Sequence, residues 1–352
     1  MTTQPLIMQT PHGFYCPPGD FYIDPWQPVP RALVTHAHGD HCTWGCESYL
    51  VAAAGATVFR TRLGPAAHIE HLPYGEPIRI RDVTVSFHPA GHILGSAQIR
   101  VEHAGEILVV SGDYKRQPDS TCAPFEPVRC HHFITEATFG LPIYHWQPTA
   151  IIFDQINRWW AANANQGKAS ILYVYALGKA QRVLSGLDPS IGAILCHGAV
   201  ERLNRAYREA GIALPATRYA STADKAEIGR SLVLAPVSAR GTTWTRRFGT
   251  HASGFASGWM RIRGARRQKS VDRGFILSDH ADWDDLLRTI HETGATRIGV
   301  THGYTAVLSR WLVDQGLDAY AIDTRYGGEA DEVSGDDMPG DNDDSPGEEG
   351  GG

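Results

Sequence analysis

Read for its hydrophobic and polar positions, the first 140 residues are a series of short apolar runs punctuated by Gly, Pro and Asp. Arg31-Ala-Leu-Val-Thr35 is a short apolar run that ends directly in a histidine cluster. Val83-Thr-Val-Ser-Phe87 and Gln98-Ile-Arg-Val-Glu102 alternate with the period of two that marks a half-buried strand. Glu106 to Ser111 (EILVVS) predicts a buried strand, and His132-Phe-Ile-Thr-Glu136 a strand ending in an acid. The recurring unit is a strand whose C-terminal end delivers a polar, ligand-type residue. Rigid elements that end this way can hold a site in fixed geometry.

From about Thr149 the pattern changes. Apolar residues from Ile151 to Asn163, Trp159 and Trp160 included, fall at helical spacing. Ser170 to Tyr175 predicts a strand, Leu177 to Leu184 a helix and Ala193 to Cys196 another strand. This strand–helix alternation predicts a parallel α/β unit. After Arg273 the first pattern returns: Gly274 to Ser278 precedes Asp279-His280, and Arg297 to Thr301 precedes His302. The expectation is one domain interrupted by a second: 1–148 and 273–326 forming the outer domain, 149–272 the insert, and 327–352 a tail.

Composition qualifies this picture at three points. The 352 residues suffice for two modest domains, and no apolar run reaches the roughly 18 residues of a membrane span. The opening residues show no basic stretch followed by an apolar one, which reads as no secretory signal. The six cysteines are scattered without a CxxC pair and read as reduced thiols, so the expected compartment is the cytoplasm. The net charge of −6 is misleading, because ten of the 38 acids lie between Glu329 and Gly352 with no Lys or Arg. Such a segment is expected to be disordered. Without it, 28 acids face 32 Lys and Arg, a mildly basic body suited to a polyanionic substrate. The tail itself reads as solubilising, or as a competitor of nucleic acid for that body.

The strongest chemical signal is Thr35-His36-Ala37-His38-Gly39-Asp40-His41, three histidines and an aspartate within six residues. Zinc takes imidazole and carboxylate ligands, and a tight loop after a strand can aim alternate side chains at two neighbouring ions. His92 in Gly91-His-Ile-Leu-Gly-Ser-Ala97, Asp113 in Ser111-Gly-Asp113 and His302 in Thr301-His-Gly303 stand at further strand ends beside small residues. They are the candidates to complete the ligand set.

In that order, HxHxDH, GHxxGSA and SGD resemble the metallo-β-lactamase superfamily. Thr135-Glu136, Ser278-Asp-His-Ala-Asp282 and Val300-Thr-His-Gly303 resemble the further motifs of its β-CASP branch. Phe14 to Asp20, Ser111 to Pro118 and Ala256 to Arg261 are similar to bacterial ligase-associated DNA exonucleases. The resemblance implies a metallo-β-lactamase αββα sandwich carrying an inserted α/β β-CASP domain. It implies two divalent ions, zinc foremost and manganese the other candidate: one on His36, His38 and His92, the second on Asp40, His41 and His302, with Asp113 bridging. Asp24 then anchors the histidine loop without ligating, the alternative being a turn cap before Pro25.

The activity implied is phosphodiester hydrolysis, with Asp40, Asp113, Glu136 and His280 catalytic and His280 supplying the proton for the leaving oxygen. Substrate contacts are expected from Lys115 with Arg116, from Lys179 at a strand–helix turn, and from a basic run containing Arg261 and Arg263. Trp244, Phe255 and Trp259 lie near that run and read first as core, with base stacking the alternative. The expected substrate is DNA, in repair or end processing. RNA processing is the second reading, because His302 is more typical of RNA-processing members. A thioester hydrolase and a metal-free scaffold are the remaining alternatives. A DNA ligase and a helicase are partners implied by the resemblance alone, and no membrane association is expected.

Overall fold

The computed structural model describes residues 5–262 and 271–324. The basic run from Arg263 to Lys269 and the acidic tail therefore lie outside the described residues. Within the described residues the chain forms two compact units. One comprises the chain up to His145 together with that from Asp279 onward; the other is Trp146–Ser278.

The first unit opens with β1 (Met8–Thr10), β2 (Gly13–Cys16), β3 (Phe21–Ile23), β4 (Arg31–Leu33), β5 (Ser48–Ala52), α1 (Ala56–Leu63) and β6 (Ile69–Leu72). It continues with β7 (Ile78–Ile80), β8 (Val83–Pro89), β9 (Ala97–His103), β10 (Glu106–Val110) and β11 (His132–Ala137). The second unit contains α2 (Thr149–Ala164), β12 (Ala169–Tyr173), α3 (Lys179–Ser185), β13 (Ile194–Cys196), α4 (Gly198–Glu209) and β14 (Arg218–Tyr219). It ends with α5 (Lys225–Ile228), β15 (Leu232–Ala235), β16 (His251–Ala256) and β17 (Arg273–Phe275). The chain then supplies the first unit with α6 (Trp283–Thr293), β18 (Arg297–Gly303), α7 (Thr305–Asp314) and β19 (Asp318–Ala321).

Among the described residues the first unit holds two sheets, ordered β1-β2-β3-β4-β5-β6 and β19-β18-β11-β10-β9-β8-β7. Their facing sides share one core, in which Phe21, Ile23, Leu33 and Leu50 meet Val85, Phe87, Ile99 and Val110. The alternation of β8 explains its part: Val83, Val85 and Phe87 turn inward, while Thr84 and His88 stay partly exposed. The strands β10, β11 and β18 place apolar residues on both faces because both faces are covered. Leu108 and Ile134 enter the core between the sheets, whereas Val109, Phe133, Ile298 and Val300 pack against Leu286 and Ile290 of α6 and Leu308 and Leu312 of α7. With α1 against β5, the layers run helix, sheet, sheet, helix. The α/β sandwich is the fold class expected from the sequence.

The second unit is built on a parallel sheet ordered β14-β13-β15-β12-β16-β17. Ile171, Tyr173, Val233 and Ala235 on one face pack with Trp244, Phe248, Phe255 and Met260. Trp244 and Phe255 thus belong to a core. Trp159 of α2 meets Phe275 edge to face at 5.5 Å. No helix among the described residues is long and apolar enough to cross a membrane, and all six cysteines are free thiols.

Candidate metal centre

Every candidate ligand belongs to the first unit and stands where a strand gives way to a loop or irregularity. His36, His38, Asp40 and His41 follow β4, His92 lies between β8 and β9, Asp113 follows β10, and His302 is in β18. The strand expected to run to Thr35 stops at Leu33 for a visible reason. The Val34 amide still donates to the Leu50 carbonyl of β5 at 3.1 Å, but the Thr35 amide turns to Asp24 Oδ1 at 2.8 Å. Gly112 is needed where β10 hands over to Asp113. Its φ is +57°, and a Cβ there would lie 2.6 Å from Thr35 Cβ.

Two groups of ligand atoms emerge around Asp113. His36 Nε2 and His92 Nε2 each lie 3.1 Å from His38 Nδ1, and lie 3.5 and 3.9 Å from Asp113 Oδ2. His41 Nε2 lies 3.5 Å from the same Asp113 oxygen and 3.6 Å from Asp40 Oδ2; His302 Nδ1 lies 3.9 Å from Asp113 Oδ1. A tetrahedral zinc ion with ligands about 2.0–2.1 Å away spaces its donors about 3.4 Å apart. These separations, from 3.1 to 3.9 Å, lie about that spacing. Asp40 also groups with His36 and His41, and all seven side chains are buried.

The electrostatics fit a cation. Burial, with His41 and His280 adding to it, pushes the imidazoles of His36 and His92 well below their usual pKa, leaving neutral rings with a lone pair. Burial also lowers His302. Burial would depress His41 too, but the carboxylates of Asp40, Asp113 and Asp24 overcome it and raise it well above the usual value. The carboxylates of Asp40 and Asp113 would hold a metal ion in place of that proton. Asp40 Oδ1, His41 Nε2 and Asp113 Oδ1 are buried without a hydrogen-bond partner. Orphaned atoms of this kind cost about 1–3 kcal/mol each unless something coordinates them. By donor type, spacing and orphaned atoms, the residues present fit divalent metal binding.

Outer contacts orient the ligands. His41 Nδ1 donates to Asp24 Oδ2 at 2.7 Å, and His92 Nδ1 lies 2.8 Å from the Asp279 carbonyl oxygen. Beside the ligands, His280 Nδ1 lies 2.9 Å from Glu136 Oε2, while Glu136 Oε1 accepts from the Tyr114 amide at 2.8 Å. Burial disfavours a charged His280, but Glu136 and Asp113 overcome it and raise its pKa well above the usual value.

The basic candidates differ in their surroundings. Lys115 is buried at 2% exposure and Lys179, in the second unit, at 1%. Arg116 is held by Glu292 at 2.7 Å and lies over the Phe125 ring. Arg261 is exposed; Arg263 lies outside the described residues. Sequence reading assigned no role to Asp279, although its carboxylate is buried within 4.8 Å of ligand atoms of His92 and His280. Its position beside His280 in Ser278-Asp-His was the available signal.

No family model matches the chain. The chain is 34% identical over 321 residues to a probable DNA ligase of Opitutus terrae, covering 90% of this chain and 31% of that protein. It is 32% identical over 124 residues to Endoribonuclease ysh-1 of Neurospora crassa, and 32% identical over 125 residues to cleavage and polyadenylation specificity factor 73 of Drosophila melanogaster. Each of these two matches covers 34% of this chain, and 14% and 18% of the respective relatives. The chain thus spans under a third of the length of these curated relatives. In fold it is similar to a protein of unknown function from Enterococcus faecalis V583, with a TM-score of 0.56 at 10% identity, covering 85% of this chain and 80% of that one. Sandwich, buried His/Asp cluster and relatives agree: the chain belongs to the metallo-β-lactamase superfamily, in its β-CASP branch.

Proposed function

We propose that this protein is a metal-dependent nuclease that hydrolyses phosphodiester bonds, and that its substrate is DNA, degraded as an exonuclease in repair or end processing. The observation that carries the proposal is the pairing of two buried ligand groups on Asp113 with a carboxylate-held histidine, His280, beside them. His36, His38 and His92 would hold one ion, and Asp40, His41 and His302 the other, with Asp113 shared. Bound there, two divalent ions supply Lewis-acid stabilisation of phosphoryl charge and activate water near neutral pH.

The chain's own residues provide the rest. Glu136 accepts from His280 Nδ1 and so fixes the ring, leaving Nε2 to deliver a proton to the leaving oxygen. Exposed Arg261 suits contact with a phosphate backbone better than Lys115 and Lys179, each of which is buried in its own unit. The Trp146–Ser278 unit serves, in this reading, as the β-CASP insert that engages nucleic acid. Likeness to a probable DNA ligase over 90% of the chain supports DNA. The match to endoribonucleases over 34% of the chain, together with His302, favours RNA processing as the second reading.

The test is digestion of matched single-stranded DNA and RNA oligonucleotides labelled at either end, with zinc and manganese supplied separately. Asp40→Ala and Asp113→Ala serve as controls. Stepwise shortening of DNA, lost in both variants, is expected. Internal cuts in RNA with DNA spared would transfer the protein to the second reading.

A further inference from the structure

The Thr35 side chain stands between the two ligand groups without belonging to either. Its Oγ1 lies 2.6 Å from Asp24 Oδ2, 3.1 Å from His36 Nδ1 and 3.4 Å from His41 Nδ1. A hydroxyl has one proton to give. The carboxylate of Asp24 is the shortest contact and can only accept, so that proton goes to Asp24. Toward His36, Thr35 is then left as an acceptor, and His36 must carry its proton on Nδ1. That frees His36 Nε2, the atom 3.5 Å from Asp113 Oδ2, as a lone pair aimed into the first group. The same Asp24 oxygen accepts from His41 Nδ1 at 2.7 Å, which frees His41 Nε2 for the second group.

We infer that Thr35 is a positioning residue that couples the two metal groups: one hydroxyl fixes the tautomer of His36 while holding the carboxylate that fixes His41. The backbone of Thr35 is pinned independently. Its amide donates to Asp24 Oδ1 at 2.8 Å and its carbonyl accepts from the Ala97 amide at 2.8 Å. Its side chain is pressed against Gly112, next to the shared Asp113. The hydroxyl can therefore be removed while the loop keeps these anchors, and Thr35→Val replaces it with a methyl group of similar size.

This role rests on the metal-centre reading, so its test is metal binding and not cleavage. Zinc equivalents and affinities are measured by chelator competition for the wild-type chain, Thr35→Val and Thr35→Ser, with the melting temperature of each metal-free protein as reference. Loss of a ligand-orienting partner weakens metal binding by roughly 10–100-fold. Thr35→Val is expected to weaken both equivalents by that factor at unchanged metal-free stability, and Thr35→Ser to restore wild-type affinity. Weakening confined to one equivalent, no weakening, or failure of Thr35→Ser to rescue would overturn the inference. A second measurement needs no variant: long-range proton–nitrogen spectra of the zinc-loaded wild-type chain are expected to show His36 and His41 protonated at Nδ1. A proton on His36 Nε2 would overturn the inference even where Thr35→Val does not fold. A wild-type chain that binds fewer than two equivalents overturns the two-group centre and Thr35's role with it. Two equivalents without nuclease activity leave Thr35's role standing and sink only the proposed reaction.

Discussion

In the proposed reaction, His280 and Asp113 have different tasks at the level of single side chains. Asp113 touches both ligand groups, so Asp113→Ala should strip metal and activity together. His280 is anchored by Glu136, and its proposed task is proton delivery. Its replacement by Ala is therefore expected to lower turnover by about 100-fold or more, the usual range for a lost general acid. Bound zinc, measured by elemental analysis, should stay at the wild-type level. Loss of metal in His280→Ala would instead make His280 a ligand, a role its place within 4.8 Å of Asp113 and Glu136 ligand atoms also allows. Single residues were also where the sequence spoke most clearly. His36, His38, Asp40 and His41 fall within six positions, so their convergence needs no tertiary information. Thr35 stands beside them in the sequence but gives no sign of its role there, because hydroxyl contacts to residues at 24, 36 and 41 exist only once the loop has folded.

His302 owes its place to an irregularity of an element. In the parallel pairing of β11 with β18, Glu136 opposes Thr301 and Ala137 opposes Gly303, so His302 is the extra residue of a bulge. Its φ is +55°, a left-handed value uncommon outside glycine. Gly303 follows at φ +70°, and a Cβ there would sit 2.4 Å from the Ala137 carbonyl oxygen. Gly303→Ala should therefore destabilise the chain and weaken the second metal group before the first, a difference that chelator titration resolves. The bulge was not legible in the sequence, since Arg297 to Thr301 reads as an ordinary strand up to the histidine. Alternating β8 and the unbroken apolar run of β10 were legible, because burial on one face or on both leaves its period in the residues. The strand expected over Gly274–Ser278 ends at Phe275, and Leu277 donates back to the Phe275 carbonyl instead of to the ladder.

The same sheet carries a pH dependence outside the site. His132 of β11 lies 2.9 Å from the Tyr320 hydroxyl of β19, and burial pulls its imidazole down to about 4 from an ordinary 6.5. Between those values the unfolded chain binds more protons than the folded one, so stability falls as pH drops through that window. His132→Asn should flatten the difference between urea midpoints at pH 7 and pH 4.5 relative to the wild-type chain.

On the scale of the whole molecule, the relatives and the geometry answer different questions. The long match to a probable DNA ligase and the shorter ones to endoribonucleases agree on a family and differ over the nucleic acid. Net charge was misleading at this scale, since the acids from Glu329 onward hide a mildly basic body. If the substrate is a polyanion, binding should weaken steeply with salt, and Arg261→Ala should reduce the slope of log K against log salt by about one phosphate's worth. A fluorescence anisotropy titration with labelled single-stranded DNA measures both.

The most direct single measurement is a metal titration of the stripped chain, in which bound equivalents and cleavage of a fluorescent single-stranded DNA are followed in the same sample. The account predicts that cleavage appears as the second equivalent binds, and that Asp113→Ala shows neither binding nor cleavage. Two tightly bound equivalents with no cleavage of DNA or RNA would contradict it and return the site to a small-molecule ester.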